Sequence, residues 1–190
     1  EMCIRDRNTI KQLSENKDSN ITQYISEIVD DFNIMNPIDY CNNPTVNLIT
    51  HRYYEICKKN NINFTISIKN ANIDFIKEHD ITALLDNLLE NAVESALMTN
   101  EKFIDFSIST RNSNFVIIKI SNSCNKKPKY IDGTLVSSKS TSGMHGIGTR
   151  SIKRVVEKYN GNLEMKFDND TKTFTSVIGI NSNLPSNNQS

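Results

Sequence analysis

The stretch Leu84-Leu85-Asp86-Asn87-Leu88-Leu89-Glu90-Asn91-Ala92-Val93-Glu94-Ser95-Ala96 decides how the rest of the chain is read. Leu84, Leu85, Leu88, Leu89, Ala92, Val93, Ala96 and Leu97 recur at i, i+3, i+4 and i+7, which predicts a helix with one broad apolar side that packs on a core. Asn87, Asn91 and Glu94 line another side. Asn is a poor helix former because its short amide competes for backbone hydrogen bonds, so a pair at i and i+4 weakens a helix unless the two amides bind something. An amide carbonyl is a hard oxygen donor of the kind that suits Mg²⁺. That ion usually keeps several waters and takes one or two protein oxygens together with nucleotide phosphates. The same residues also fit a surface helix whose amides meet water.

A second stretch, His145-Gly146-Ile147-Gly148-Thr149-Arg150-Ser151-Ile152, runs into an amphipathic helix carrying Ile152, Val155, Val156 and Tyr159. Glycines at a helix start expose backbone N–H groups at the positive end of the helix dipole, a general cradle for phosphate. On its own G-x-G also fits a tight turn. Taken with the Asn helix, and in the order Asn helix, two strands, polar loop, G-x-G helix, two strands, the chain resembles the ATP-binding domain of the GHKL superfamily, specifically that of sensor histidine kinases. Asn87-x-x-x-Asn91 is similar to that family's N box, and Gly146-Ile147-Gly148 to its second glycine box, with Thr149 where Leu is commoner.

The resemblance implies a Bergerat-type fold: a two-layer α/β (α+β) sandwich of a mixed sheet covered on one face by three helices. It implies ATP and Mg²⁺ as cofactors, with transfer of the γ-phosphoryl group to a His and then to a response regulator. Asn91 would hold the metal, Asn87 would give polar support or position water, and the His145-Gly146-Ile147-Gly148-Thr149 turn with Lys139 would meet the phosphates. Lys139 stands in Ser137-Ser138-Lys139, which resembles a Ser-Lys element ahead of the glycine box. Most histidine kinases carry Asp-x-Gly-x-Gly after the second strand, its carboxylate taking the adenine amino hydrogen. This chain has Ser121-Asn122-Ser123-Cys124 there. Asn122 offers a carbonyl without the negative charge. The erosion is similar to that in the AgrC-like and citrate-sensor-like branch, as is Asn43-Pro44-x-x-Asn47, and quorum sensing is one signalling context of that branch.

With 190 residues and 22 Lys plus Arg against 22 Asp plus Glu, the chain has length for one well-buried domain and no basic field for nucleic acid. Its four Cys, at 3, 41, 57 and 124, form no C-x-x-C pair, which fits reduced thiols in a cytoplasmic setting better than a disulfide framework. No run approaches the ~18 to 20 apolar residues of a membrane span, so the membrane sensor segment that the resemblance implies is expected to be absent here.

Residues 1–7, Glu-Met-Cys-Ile-Arg-Asp-Arg, share nothing with the pattern after them and are expected to be non-native, similar to translated sequencing adapter. Residues 8–36 read as part of a helical hairpin, with Ile21, Tyr24, Ile25, Ile28, Val29 and Phe32 at helical spacing. The resemblance makes this the dimerisation and phosphoacceptor hairpin, so a homodimer through the N-terminal helices is expected, and the phosphoacceptor His falls in 1–7, where none is found. The ATP-binding domain is expected over 40–181, with 182–190 a frayed tail. A helix is predicted from Thr45 to about Asn60, strands over 62–68, 103–110, 115–121, 162–167 and 173–180, and a helix over 149–159 that ends on Gly161 as the αL cap. Asn125 to Met144 reads as a polar loop of lid type. Asp80 is expected to cap the Asn helix. With His79 it forms a His-Asp pair of the phosphoacceptor sort. Two other functions fit the same residues, an anti-sigma-type Ser kinase of the superfamily and a nucleotide-gated docking module without catalysis.

Overall fold

The computed structural model describes residues 40–69, 71–112, 114–125, 129–131, 134–136 and 147–183. The expectations for 1–7, 8–36, Lys139, His145, Gly146 and most of the tail lie outside them.

Helix α1, Pro44–Lys59, begins where Asn43 caps it, its side chain accepting from Val46 N at 3.1 Å, with Pro44 preset for the first turn. Lys58 and Lys59 sit in its last turn, favourable for the negative end of the dipole, and Asn61 turns the chain at φ 54°. Strand β1, Asn63–Lys69, leads to helix α2, Glu78–Leu97, and then to the hairpin β2, Phe103–Arg111, and β3, Phe115–Ser123. Two short strands, β4 (Lys129–Ile131) and β5 (Thr134–Val136), precede helix α3, Ile147–Lys158, and the hairpin β6, Asn162–Asp168, and β7, Thr173–Asn181.

The main sheet is ordered β1-β2-β3-β7-β6, with β1 parallel to β2 and the other neighbours antiparallel. The parallel pair needs a crossover, and α2 supplies it. Every second residue of the central strands turns inward: Ile104, Phe106 and Ile108, then Val116, Ile118 and Ile120, then Ile178 and Ile180 are all buried. Against them lie the apolar stripes read from sequence: Val46, Ile49 and Tyr53 of α1; Leu84, Leu85, Leu88, Leu89 and Ala92 of α2; Ile152, Val155 and Val156 of α3. The opposite sheet face is wet, with Thr65, Asp105, Lys119 and Lys166 exposed. The expected two-layer sandwich is therefore the observed one, three helices over one face of a mixed sheet among the described residues. Helix α2 is the middle helix, touching both α1 and α3. Leu84, Leu85 and Leu89 are wholly buried, and truncating any of them to Ala costs about 2–5 kcal/mol.

Three local expectations change. Asp80 is not the cap of α2: the cap position is Lys77, with no side-chain bond, and Asp80 lies inside the first turn with its carboxylate committed elsewhere. The left-handed residue after α3 is Asn160, at φ 51°, rather than Gly161. Glycine is needed at 161 for closeness instead, since a Cβ there would stand 2.9 Å from Ile180 Cγ1 and 3.0 Å from Gly179 O. The loop expected between Asn125 and Met144 carries the β4–β5 ladder, in which Tyr130 pairs with Leu135. Its strands flank Asp132-Gly133, a strong hairpin signal in sequence.

Candidate functional site

The candidate site lies where α2 and α3 meet. Asn87 is half-buried, and its Nδ2 donates to Ala83 O one turn back at 2.6 Å. That bond turns Oδ1 toward α3. A Cβ built on Gly148 would lie 2.8 Å from Asn87 Oδ1, closer than real contacts allow, so the two sequence motifs touch and glycine is what lets them. Asn91, one turn further along α2, is exposed and has no hydrogen-bond partner among the described residues. Spacing of i and i+4 sets both amides on the same helix face.

Ile147 and Gly148 are the first described residues of α3, so the N-terminal part of that helix, with the positive end of its dipole, lies against Asn87. Thr149, the next residue, is buried at 5% exposure. Asn122 sits at the inner end of β3, 3% exposed, its Nδ2 donating to Ser123 O at 2.9 Å. Its Oδ1 takes no hydrogen bond among the described residues. Ser95 Oγ donates to the same Ser123 carbonyl at 3.2 Å, and Thr99 Oγ1 and Ser123 Oγ are 2.9 Å apart. These bonds tie the C-terminal turns of α2 to the end of β3.

The other flank of α2 is fixed to α1. Tyr53 OH donates to Asp86 O at 3.1 Å, and the Arg52 guanidinium pairs with the Asp86 carboxylate next to Asn87. Burial is the chief reason the Tyr53 phenol titrates above its ordinary value, with the Asp86 charge adding to it. At the N-terminal end of α2, Asp80 receives Lys158 Nζ at 2.6 Å and Tyr159 OH at 2.7 Å, and His79 Nε2 stands 3.2 Å from its other oxygen. Burial by itself raises the Asp80 pKa, but these bonds and the Lys158 charge outweigh it and hold the carboxyl below the usual range. His79 is therefore a largely exposed neighbour of a carboxylate already occupied by α3.

Of the residues that the sequence singles out, the structure brings Asn87 and Gly148 together, with Asn91 one turn further along α2. Sequence reasoning did not find Tyr159, whose ring fitted an apolar stripe while its hydroxyl partners lie some 80 residues away. Among the described residues no group of three His, Cys, Asp or Glu is placed to hold a metal. An amide-based site is the chemistry these residues offer.

The described fold, with paired amides against a glycine-opened helix, defines a nucleotide-type α/β sandwich. A family model described as the GHKL domain matches residues 76–180, more than half of the chain, and the chain belongs to that family. It is 29% identical over 112 residues to a probable C4-dicarboxylate sensor kinase of Bacillus subtilis (strain 168), a match that covers 55% of this chain and 20% of that protein. The chain thus spans a minor part of the relative's length. In fold it is similar to the catalytic domain of histidine kinase ThkA, with a TM-score of 0.57 at 17% identity over 74% of this chain and 92% of that one. The mycobacterial sensor histidine kinase MprB gives a TM-score of 0.54 at 14% identity, covering 72% of this chain and 95% of that one. No helix among the described residues is long and apolar enough to cross a membrane.

Proposed function

We propose that residues 40–181 are the ATP-binding catalytic domain of a two-component sensor histidine kinase. The observation that carries the reading is the meeting of Asn87 with Gly148, which sets the N-terminal turn of α3 against the Asn face of α2, where the exposed Asn91 amide has no partner among the described residues. A helix N-terminus next to a hard oxygen donor fits a magnesium-bound polyphosphate. Asn91 holds the metal through its amide oxygen, and Asn87 supports it. The backbone of Gly146, Ile147, Gly148 and Thr149 meets the phosphates together with Lys139, and His145 is a further nucleotide-binding residue. Asn122 Oδ1 accepts from the adenine amino group in place of the missing carboxylate. Bound Mg²⁺-ATP supplies the transferable γ-phosphoryl group and neutralises its charge.

In the whole protein the acceptor is a His on a helical hairpin to which residues 8–36 contribute and which joins two copies, and a response regulator takes the phosphoryl group onward. The domain lies on the cytoplasmic side of a membrane receptor. The eroded first glycine box and the Asn43-Pro44-x-x-Asn47 start of α1 favour the AgrC-like and citrate-sensor-like branch. Incubation with γ-labelled ATP and a separately supplied His-containing hairpin tests the reading. Label on the hairpin, acid-labile, is expected; nucleotide binding with no transfer under any condition instead supports a docking module.

A further inference from the structure

Helices α2 and α3 run antiparallel and touch at two ends of one seam, Asn87 with Gly148 at one end and Asp80 with Lys158 and Tyr159 at the other. Between the ends, Ile152, Val155 and Val156 pack into the core. Apolar packing is non-directional and leaves a helix some freedom to slide and turn about its axis. The bonds at the far end are directional. Tyr159 OH donates to Asp80 Oδ2 at 2.7 Å and accepts from Lys77 N–H at 2.9 Å, while Lys158 Nζ donates to the same Asp80 oxygen at 2.6 Å. Tyr159 and Asp80 are 4% and 7% exposed, so solvent hardly competes, and the Phe75 ring meets Tyr159 edge-on at 6.2 Å. The Lys77 N–H precedes the first turn of α2. One hydroxyl therefore grips both the backbone before that helix and the carboxylate inside it.

We propose that Tyr159, acting through Asp80 and the Lys77 N–H, is a positioning residue that sets the register of α3 against α2 and so holds the Gly148 turn at Asn87. The proposal rests on the nucleotide reading above. A step of one residue along a helix is about 1.5 Å of rise and 100° of turn, enough to carry the N–H groups of the first turn away from any phosphate that Asn87 and Asn91 address. Hydrogen bonds to phosphate demand heavy-atom distances within a few tenths of an ångström, and a misplacement of about 1 Å can cost on the order of 10²-fold. The hydroxyl acts at a distance from the nucleotide, so its loss is felt by the phosphates and hardly by the base, which the reading above puts at Asn122, near the C-terminal turns of α2.

The test compares adenosine with a non-hydrolysable Mg²⁺-ATP analogue by calorimetry, on wild type and Tyr159→Phe, which keeps the ring against Phe75. The informative quantity is the ratio of the two dissociation constants, the gain that the phosphates bring. Tyr159→Phe is expected to lower that ratio about tenfold while adenosine affinity moves less than about twofold. A general loss of stability shifts the melting temperature but leaves the ratio where it was, and an unchanged ratio overturns the proposal. Should Tyr159→Phe not fold, Lys158→Met carries the same comparison, with a ratio lowered about threefold expected and an unchanged ratio again decisive against it. Wild-type protein that binds no nucleotide at all overturns both this proposal and the reading beneath it, whereas normal wild-type binding with unaltered ratios in the variants removes the positioning role alone.

Discussion

Asn87 Oδ1 occupies space that a Cβ on Gly148 would need, at 2.8 Å, so the amide of one motif is held against the glycine of the other. Gly148→Ala forces the amide to swing away and break its 2.6 Å bond to Ala83 O. That loss costs about 0.5–1.5 kcal/mol, and the better helix propensity of Ala returns up to about 1 kcal/mol. Stability should thus change by less than about 1 kcal/mol, while affinity for a magnesium-bound ATP analogue falls more than about tenfold. In an Asn87→Ala background the same glycine change meets no clash and should become neutral or stabilising. Denaturant melts over the four proteins of the cycle measure that coupling.

Asp80 predicts a particular acid response. Its carboxyl is held below the ordinary range because the Lys158 and Tyr159 bonds outweigh the burial that would raise it. A folded-state value below the unfolded one adds stability that is fully present above about pH 4, the usual Asp range, and is lost as pH falls through the lowered value. The melting temperature of wild type should exceed that of Asp80→Asn at neutral pH, and the gap should close progressively below about pH 4. A gap that stays constant to the acid end contradicts the pairing.

The thiols should separate by reactivity. Burial pushes the Cys57 thiol up to about 11, and Cys57 is 1% exposed on the core-facing side of α1. Cys124 is also buried, while Cys41 is half-exposed at the start of α1. A thiolate is the reacting species, so at pH 8 a maleimide should label Cys41 in the native protein and reach Cys57 only on unfolding. Peptide mapping by mass spectrometry gives the order directly, and early labelling of Cys57 contradicts its placement.

Periodicity carried most of the fold because each helix buries one stripe and each central strand one alternate set: Leu84, Leu88 and Ile152 on the helices, Phe106 and Ile118 on the strands, stand where their spacing put them. The site's first pair was legible for a related reason, since Asn87 and Gly148 are both residues that an isolated helix does not favour, and each marks a local cost with a purpose elsewhere. What stayed hidden depends on partners distant in sequence. Asp80 has the composition and position of a cap, and only the arrival of Lys158 and Tyr159 makes it a junction between helices. The αL position went to Gly161 by propensity, but Asn160 tolerates that conformation and Gly161 is required for close approach to Ile180. The β4–β5 ladder was obscured by its short length and its lysine-rich neighbourhood, although Asp132-Gly133 was there to mark it.

The central claim, that Asn91 gives its amide oxygen to a nucleotide-bound metal, is met most directly by one measurement: the ligand-induced shift in melting temperature, with and without Mg²⁺, for wild type and Asn91→Ala. Asn91 is exposed and has no partner among the described residues, and Asn is a poorer helix former than Ala. The apo variant should therefore melt at the same temperature or slightly higher. The Mg²⁺-dependent part of the shift given by an ATP analogue should collapse, corresponding to a loss of affinity beyond the roughly tenfold that 1.4 kcal/mol represents. A variant whose apo form is destabilised by about 1–3 kcal/mol while its Mg²⁺-dependent shift is unaltered would contradict the account and leave Asn91 a structural residue.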